Sequence, residues 1–227
     1  MSVVPTAPTS TGPVLVVGSG LLGASIGLGL RHLGVEVLIR DASPTTEAVA
    51  QDIGAGRSVR ALRSAGEEPP EPALVVVAAP PDVVAELVVE ALAEHPHAVV
   101  LDIASVKAPV LDAVTAAGAD LTRYVGTHPM AGREKSGPVA ARGELFTSMP
   151  WVVCPGPATG AAAVTAAKNL AVDLGATLTV MEPAEHDETV ALISHLPQVM
   201  SSLLASRLQE TPLHQLSLAG QGLRDTT

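Results

Sequence analysis

The run VLVVGSGLLGASIG, Val14 to Gly27, constrains this chain more than any other stretch. Gly18, Gly20 and Gly23 stand in the spacing G-x-G-x-x-G, directly after an apolar β-branched segment and directly before a helix-forming one. Each glycine has a mechanical task in such a turn: Gly18 makes the tight bend, Gly20 lets backbone approach a pyrophosphate, and Gly23 lets helix and strand pack closely. In an alanine-rich chain, glycines could serve packing alone. The flanks argue otherwise, as does Asp41, which ends the next apolar run at about the distance where a carboxylate grips a ribose hydroxyl. The same run is uncharged from Val14 to Leu30, yet its glycines and short length read as strand, turn and helix rather than as a membrane span.

Further apolar runs follow: VEVLI from Val35, ALVVVAA from Ala73 and AVVLDI from Ala98. They alternate with alanine- and leucine-rich stretches, the rhythm of βαβ units in a parallel sheet. RYVGTHP and PWVVCP read as shorter strands, ATGAAAVTAAKNLAVDLG as a helix ending at Gly175, and ATLTVM as a closing strand. The fold class expected is α/β, a doubly wound Rossmann-type parallel sheet followed by an incomplete all-α domain. Residues 1–12 read as a disordered tail, 13–182 as the dinucleotide-binding domain, and 183–227 as the start of a helical substrate and dimerisation domain.

With 227 residues and 47% apolar content, the chain can bury a real core, and at 1% aromatic residues that core must be built from Val, Leu, Ile and Ala. A formal net charge of −10 disfavours nucleic acid and anionic membranes as partners, leaving a small molecule. The single cysteine, Cys154, forms no internal disulfide, no Cys/His cluster offers a metal site, and a reducing cytoplasm fits.

The cofactor end therefore comprises Gly18, Gly20, Leu21, Leu22, Gly23 and Asp41, with Pro80 of AAPPDVV lining the cleft where a strand ends. Asp41 favours NAD because a carboxylate repels a 2′-phosphate; Arg40 beside it could accommodate NADP by swinging across. Asp41 could instead be only a turn former or the cap for the helix of DASPTTEAV, the less favoured reading. At the chemical end, LDIASVKAPV carries Asp102, Ser105 and Lys107 on a strand end and polar turn, where Ser105 either caps the next helix or faces the cleft. The loop THPMAGREKSG sets His128 just past another strand, with Pro129, Glu134 and Lys135 close by. An imidazole there suits proton transfer near neutral pH.

These segments together resemble the prephenate/arogenate dehydrogenases of tyrosine biosynthesis. The resemblance rests on VVGSGLLGASIG, DIASVK, GTHPMAGREKSG, His186-Asp187, SHLP from Ser194 to Pro197, and GLRDTT, in the family's order. It implies NAD(P)-dependent oxidative decarboxylation of prephenate or arogenate by a cytoplasmic homodimer joined through its helical domain, with no metal. It also implies that His128 is the catalytic base, that Ser105 aligns the reacting hydroxyl, that Glu134 gates the pocket, and that His195 lies near the substrate. In the family an arginine that binds a substrate carboxylate and further helices follow the RDTT segment, so the chain reads as C-terminally truncated, and weak or absent turnover with NAD binding retained is the expectation for these residues alone. Two alternatives stand beside this: another Rossmann-plus-helical dehydrogenase of β-hydroxyacid type, which would need a helical-domain lysine where none occurs after Lys168, and a non-catalytic dinucleotide-binding module.

Overall fold

The computed structural model describes residues 7–132 and 135–224. In chain order its first elements are β1 (Val14–Val17), α1 (Leu21–His32), β2 (Val37–Arg40), α2 (Pro44–Asp52), β3 (Arg57–Ser58) and α3 (Val59–Ser64). Next come β4 (Leu74–Val77), α4 (Val84–Glu94), β5 (Val99–Asp102), α5 (Ala108–Ala116) and β6 (Tyr124–Pro129). The last strands are β7 (Pro150–Cys154) and β8 (Thr177–Val180), joined by α6 (Ala161–Asp173). All the strands lie in one sheet of order β3-β2-β1-β4-β5-β6-β7-β8.

Strands such as VLVV and LVVV are apolar at every position because helices cover both faces of the sheet, so alternation with polar residues is not needed. On one face Val14, Val16, Val76, Leu101, Val125 and Val153 pack with Ala24, Ile26 and Leu30 of α1 and Ala163, Ala167 and Leu170 of α6. On the other, Leu15, Val17, Val75, Val77 and Val100 meet Val84, Val88 and Ala91 of α4 and Val110 and Val114 of α5. Each Val or Leu so buried contributes about 1.5–3 kcal/mol. Helix starts follow local chemistry: Ser43 caps α2 by accepting from the Thr46 amide at 3.2 Å, with Pro44 at the first helical position.

Three features depart from the sequence reading. The sheet is parallel from β3 across to β6, but β7 runs antiparallel to β6, and β8 follows β7 in parallel through α6. The register pairs Pro129 with Trp151, so the connection from 130 to 149 leaves and re-enters the sheet at a single edge, the carboxyl edge of β6. Residues 7–12, expected to be loose, are anchored where they meet α6: the Thr9 amide and hydroxyl and the Ser10 amide all donate to the buried Asp173 carboxylate, at 2.9, 2.8 and 2.7 Å. The strand β3 is two residues long, too short for any hydrophobic run to announce it.

The chain divides into two compact units between Ala184 and Glu185. The second holds most of α7 (Pro183–Val190), a π-helical turn at Ala191–His195, α8 (Leu196–Leu208), and the short helices α9 (Leu213–Leu216) and α10 (Gln221–Arg224). The π turn ends two residues before Pro197, whose missing N–H and ring forbid the regular ladder. Among the described residues, no helix is long and apolar enough to cross a membrane.

Candidate active site

Parallel strands end together, and the register shows which residues share the edge. Val17, Arg40, Val77, Asp102 and Gly126 form one row across β2, β1, β4, β5 and β6. Gly18, Asp41, Ala78, Ile103 and Thr127 therefore come next along each chain, and His128 lies one residue beyond Thr127. The strand order reverses between β1 and β4, the place where open α/β sheets bind ligands.

A cleft of about 710 Å³ opens at that reversal, lined by Gly18, Gly20, Leu21, Leu22, Asp41 and Pro80, all expected cofactor residues. Gly18 has φ +94°, and a side chain there would strike the Ala78 carbonyl. A Cβ on Gly23 would strike the Gly18 carbonyl oxygen, so Gly23 acts behind the cleft by letting α1 sit against the turn. At Gly20 a Cβ would meet nothing within 4 Å, so this backbone faces open space at the start of α1. That helix has neither a side-chain cap nor an acidic residue in its first turn. Its N-terminal amides and dipole thus suit an anionic phosphate.

Asp41 performs a local task at the same time. One carboxylate oxygen accepts from the Ser19 amide and hydroxyl at 2.6 and 2.9 Å, and the other from the Ser43 amide at 2.8 Å. It thereby ties the glycine turn to the β2–α2 connection, while Ser43 rather than Asp41 caps α2. Arg40 also lines the cleft, but its guanidinium is engaged by Glu94. Its guanidinium donates to Glu94 at 2.6 Å, and this bond, outweighing the opposing effect of partial burial, holds the Glu94 carboxyl below the usual range. Thr46, Arg60 and Glu90 also line the cleft. No spacing rule singles them out, because α2, α3 and α4 bring them in from separate parts of the chain.

Beyond β4, the edge carries the chemical residues. Ser105 lies on the turn before α5, which starts at Ala108 with no side-chain cap, so a capping role for Ser105 falls away. His128 is half-buried at the end of β6, paired in register with Val152. Beneath both lies a buried polar network. Asp102 is fully buried and accepts from the Ala104 amide at 2.8 Å and the Tyr124 hydroxyl at 2.7 Å, and it pairs with the equally buried Lys107. Lys107 also donates to the Thr127 carbonyl at 2.7 Å, and the Thr127 hydroxyl donates to the Asp102 carbonyl at 2.7 Å. Burial, then the neighbouring Asp102 charge, pushes the Tyr124 phenol well above its ordinary value. The network clamps the end of β5 to the peptide that precedes His128. Lys107 was visible on the polar turn after β5; Tyr124 carried no such signal.

Glu134 lies outside the described residues. In the second unit, His195 closes the π turn and is exposed, whereas His186 is fully buried with Nδ1 2.8 Å from the Asp187 carboxylate. Among the described residues, no group of three or more His, Cys, Asp or Glu could hold a metal ion.

A glycine turn at the switch point of a doubly wound sheet, with an acidic residue just past the second strand, defines a nucleotide-binding protein of the Rossmann class. The family models narrow this: residues 26–180 match the prephenate dehydrogenase nucleotide-binding domain, and residues 182–227 match the prephenate dehydrogenase dimerization domain. The chain belongs to the prephenate dehydrogenase family. It is 39% identical over 207 residues to a probable prephenate dehydrogenase, NovF, of Streptomyces niveus, covering 91% of this chain and 55% of that one. It is 31% identical to the prephenate dehydrogenase of Bacillus subtilis, covering 94% of this chain and 59% of the relative. The chain thus spans somewhat more than half the length of these relatives. Among solved structures, prephenate dehydrogenase from A. aeolicus in complex with hydroxyphenyl propionate and NAD+ superposes with a TM-score of 0.82 at 25% identity, covering 96% of this chain and 77% of that one. Synechocystis arogenate dehydrogenase gives 0.74 at 28% identity, covering 94% and 77%.

Proposed function

We propose that this chain carries the cofactor site and part of the substrate site of an NAD-dependent enzyme that oxidatively decarboxylates prephenate or arogenate, yielding 4-hydroxyphenylpyruvate or tyrosine. The observation that supports this most is the shared carboxyl edge, which carries the glycine turn after β1, Ser105 after β5 and His128 on β6 within one parallel run of strands.

Gly18, Gly20, Leu21 and Leu22 receive the pyrophosphate, Gly23 lets α1 pack behind them, and Asp41 with Pro80 bounds the adenosine end. Bound nicotinamide supplies the hydride acceptor. Ser105 orients the C4 hydroxyl of the ring, and His128 takes its proton as the C4 hydride departs, then returns that proton to the phenolic oxygen once the carboxyl has left as CO2 and the ring is aromatic. Loss of CO2 and aromatisation provide the driving force, so the protein's work is orientation and one proton transfer. Glu134 and His195 are assigned to substrate binding. The exposed Leu192, Ile193, Leu196, Val199, Met200 and Leu203 lie in the part matched by the dimerization-domain model, which supports a homodimer through the helical segment. The lone, buried Cys154 is compatible with a cytoplasmic setting.

The test is His128→Asn, scored by NADH formation with prephenate and with arogenate and by NAD binding. Turnover should fall by at least about 100-fold, the typical contribution of a general base, while NAD affinity stays within twofold. Turnover that survives the substitution would refute the assignment.

A further inference from the structure

Arg40 lines both the cofactor cleft and a smaller recess on the α3 and α4 side of the sheet, lined by Leu15, Leu38, Val59, Arg63, Glu94 and His95 among others. Its guanidinium ends in the recess, on Glu94 at 2.6 Å, and Glu94 lines the recess but not the cleft. A second cation, Arg63, stands 3.8 Å from the other Glu94 oxygen and helps fix the carboxylate where Arg40 finds it. The cleft itself presents two carboxylates, Asp41 and Glu90, against the guanidinium of Arg60, which is drawn towards the buried Glu47 at 3.6 Å and the Asp41 carbonyl at 3.3 Å. A dinucleotide bearing a 2′-phosphate would enter an acidic rim whose nearest additional cation is held facing the other way.

We propose that Glu94 is a specificity-determining positioning residue, which selects NAD over its 2′-phosphorylated counterpart by drawing Arg40 out of the cleft. The proposal rests on the dinucleotide reading above and deepens it. The lowered Glu94 carboxyl agrees with it, since the carboxylate stays ionised and keeps its hold on Arg40 throughout the physiological range. The pair is partly solvent-exposed, with side chains 25% and 39% accessible, so the restraint it can exert is modest.

The experiment measures dissociation constants of NADH and NADPH by fluorescence titration of the full chain, in wild type, Glu94→Gln, Arg40→Ala and the double variant. Wild type should bind NADH more tightly. Glu94→Gln should shift the affinity ratio about fivefold towards NADPH, equivalent to about 1 kcal/mol, and adding Arg40→Ala should erase that shift. A purely structural role for Glu94 would weaken both ligands together and leave the ratio unmoved. An unchanged ratio in Glu94→Gln, or a shift that persists without Arg40, overturns the proposal while leaving the dinucleotide reading intact. Failure of wild type to bind either ligand overturns both.

Discussion

Replacing Lys107 with methionine isolates the most consequential buried interaction in the molecule. Lys107 and Asp102 are 1% and 0% accessible, so neither charge has water to fall back on. Methionine keeps most of the aliphatic stem but strips the cation from Asp102, which then retains only the Tyr124 hydroxyl and the Ala104 amide. Breaking one side of a buried ion pair costs about 3–5 kcal/mol because the remaining charge stays desolvated. The Thr127 carbonyl also loses a donor, about 1 kcal/mol more at most of such sites. Urea unfolding is the assay, followed through Trp151, the single tryptophan and a fully buried residue of β7, so the signal reports the sheet-bearing unit. With a urea slope of about 2 kcal/mol per molar, the midpoint should fall by about 2–3 M. Asp102→Asn/Lys107→Met removes both charges while leaving an acceptor for Tyr124, and it should cost less than the single Lys107→Met change. A single variant costing under about 1 kcal/mol, or a double variant costing the sum of its parts, would refute the view that the pair stands or falls together.

Tyr124→Phe should cost about 1.5–3 kcal/mol at neutral pH, the value of a hydrogen bond to a charged acceptor, as read by the same unfolding curves. In wild type, the folded phenol is held neutral above the pH near 10 at which the unfolded one ionises, so stability should decline as pH rises past about 10; the Phe variant should lose that share of the decline, and identical alkaline slopes would contradict the argument. Gly23→Ala forces a methyl group into the Gly18 carbonyl and should weaken NADH binding at least about tenfold, with binding unchanged counting against the turn as the phosphate site.

Much of the fold was legible because its determinants are local. Apolar runs with glycine punctuation announced β1, β2, β4 and β5, and the glycine spacing marked the start of α1 before any tertiary contact was considered. The candidate cofactor residues were legible for the same reason: five of them lie between Gly18 and Gly23, on one turn. The direction of β7 was not. PWVVC is equally apolar read either way, and only pairing with β6 orients it. Thr9 and Ser10 gave no sign of their anchoring, because Pro, Ser and Thr look unstructured until a distant buried carboxylate, Asp173, collects the Thr9 and Ser10 amides.

By itself, then, the amino-acid order determined where strands, turns and helices begin and that a glycine turn precedes the N-terminus of α1, since backbone conformation and hydrophobic period are properties of neighbouring residues. Only the tertiary structure decided which partner each charge keeps. Arg40 could have faced the cleft or Glu94, separated from it by 54 positions, and Asp102 could have met solvent instead of Lys107 and Tyr124. Such choices depend on which groups are desolvated together when the sheet closes, a quantity no local window contains.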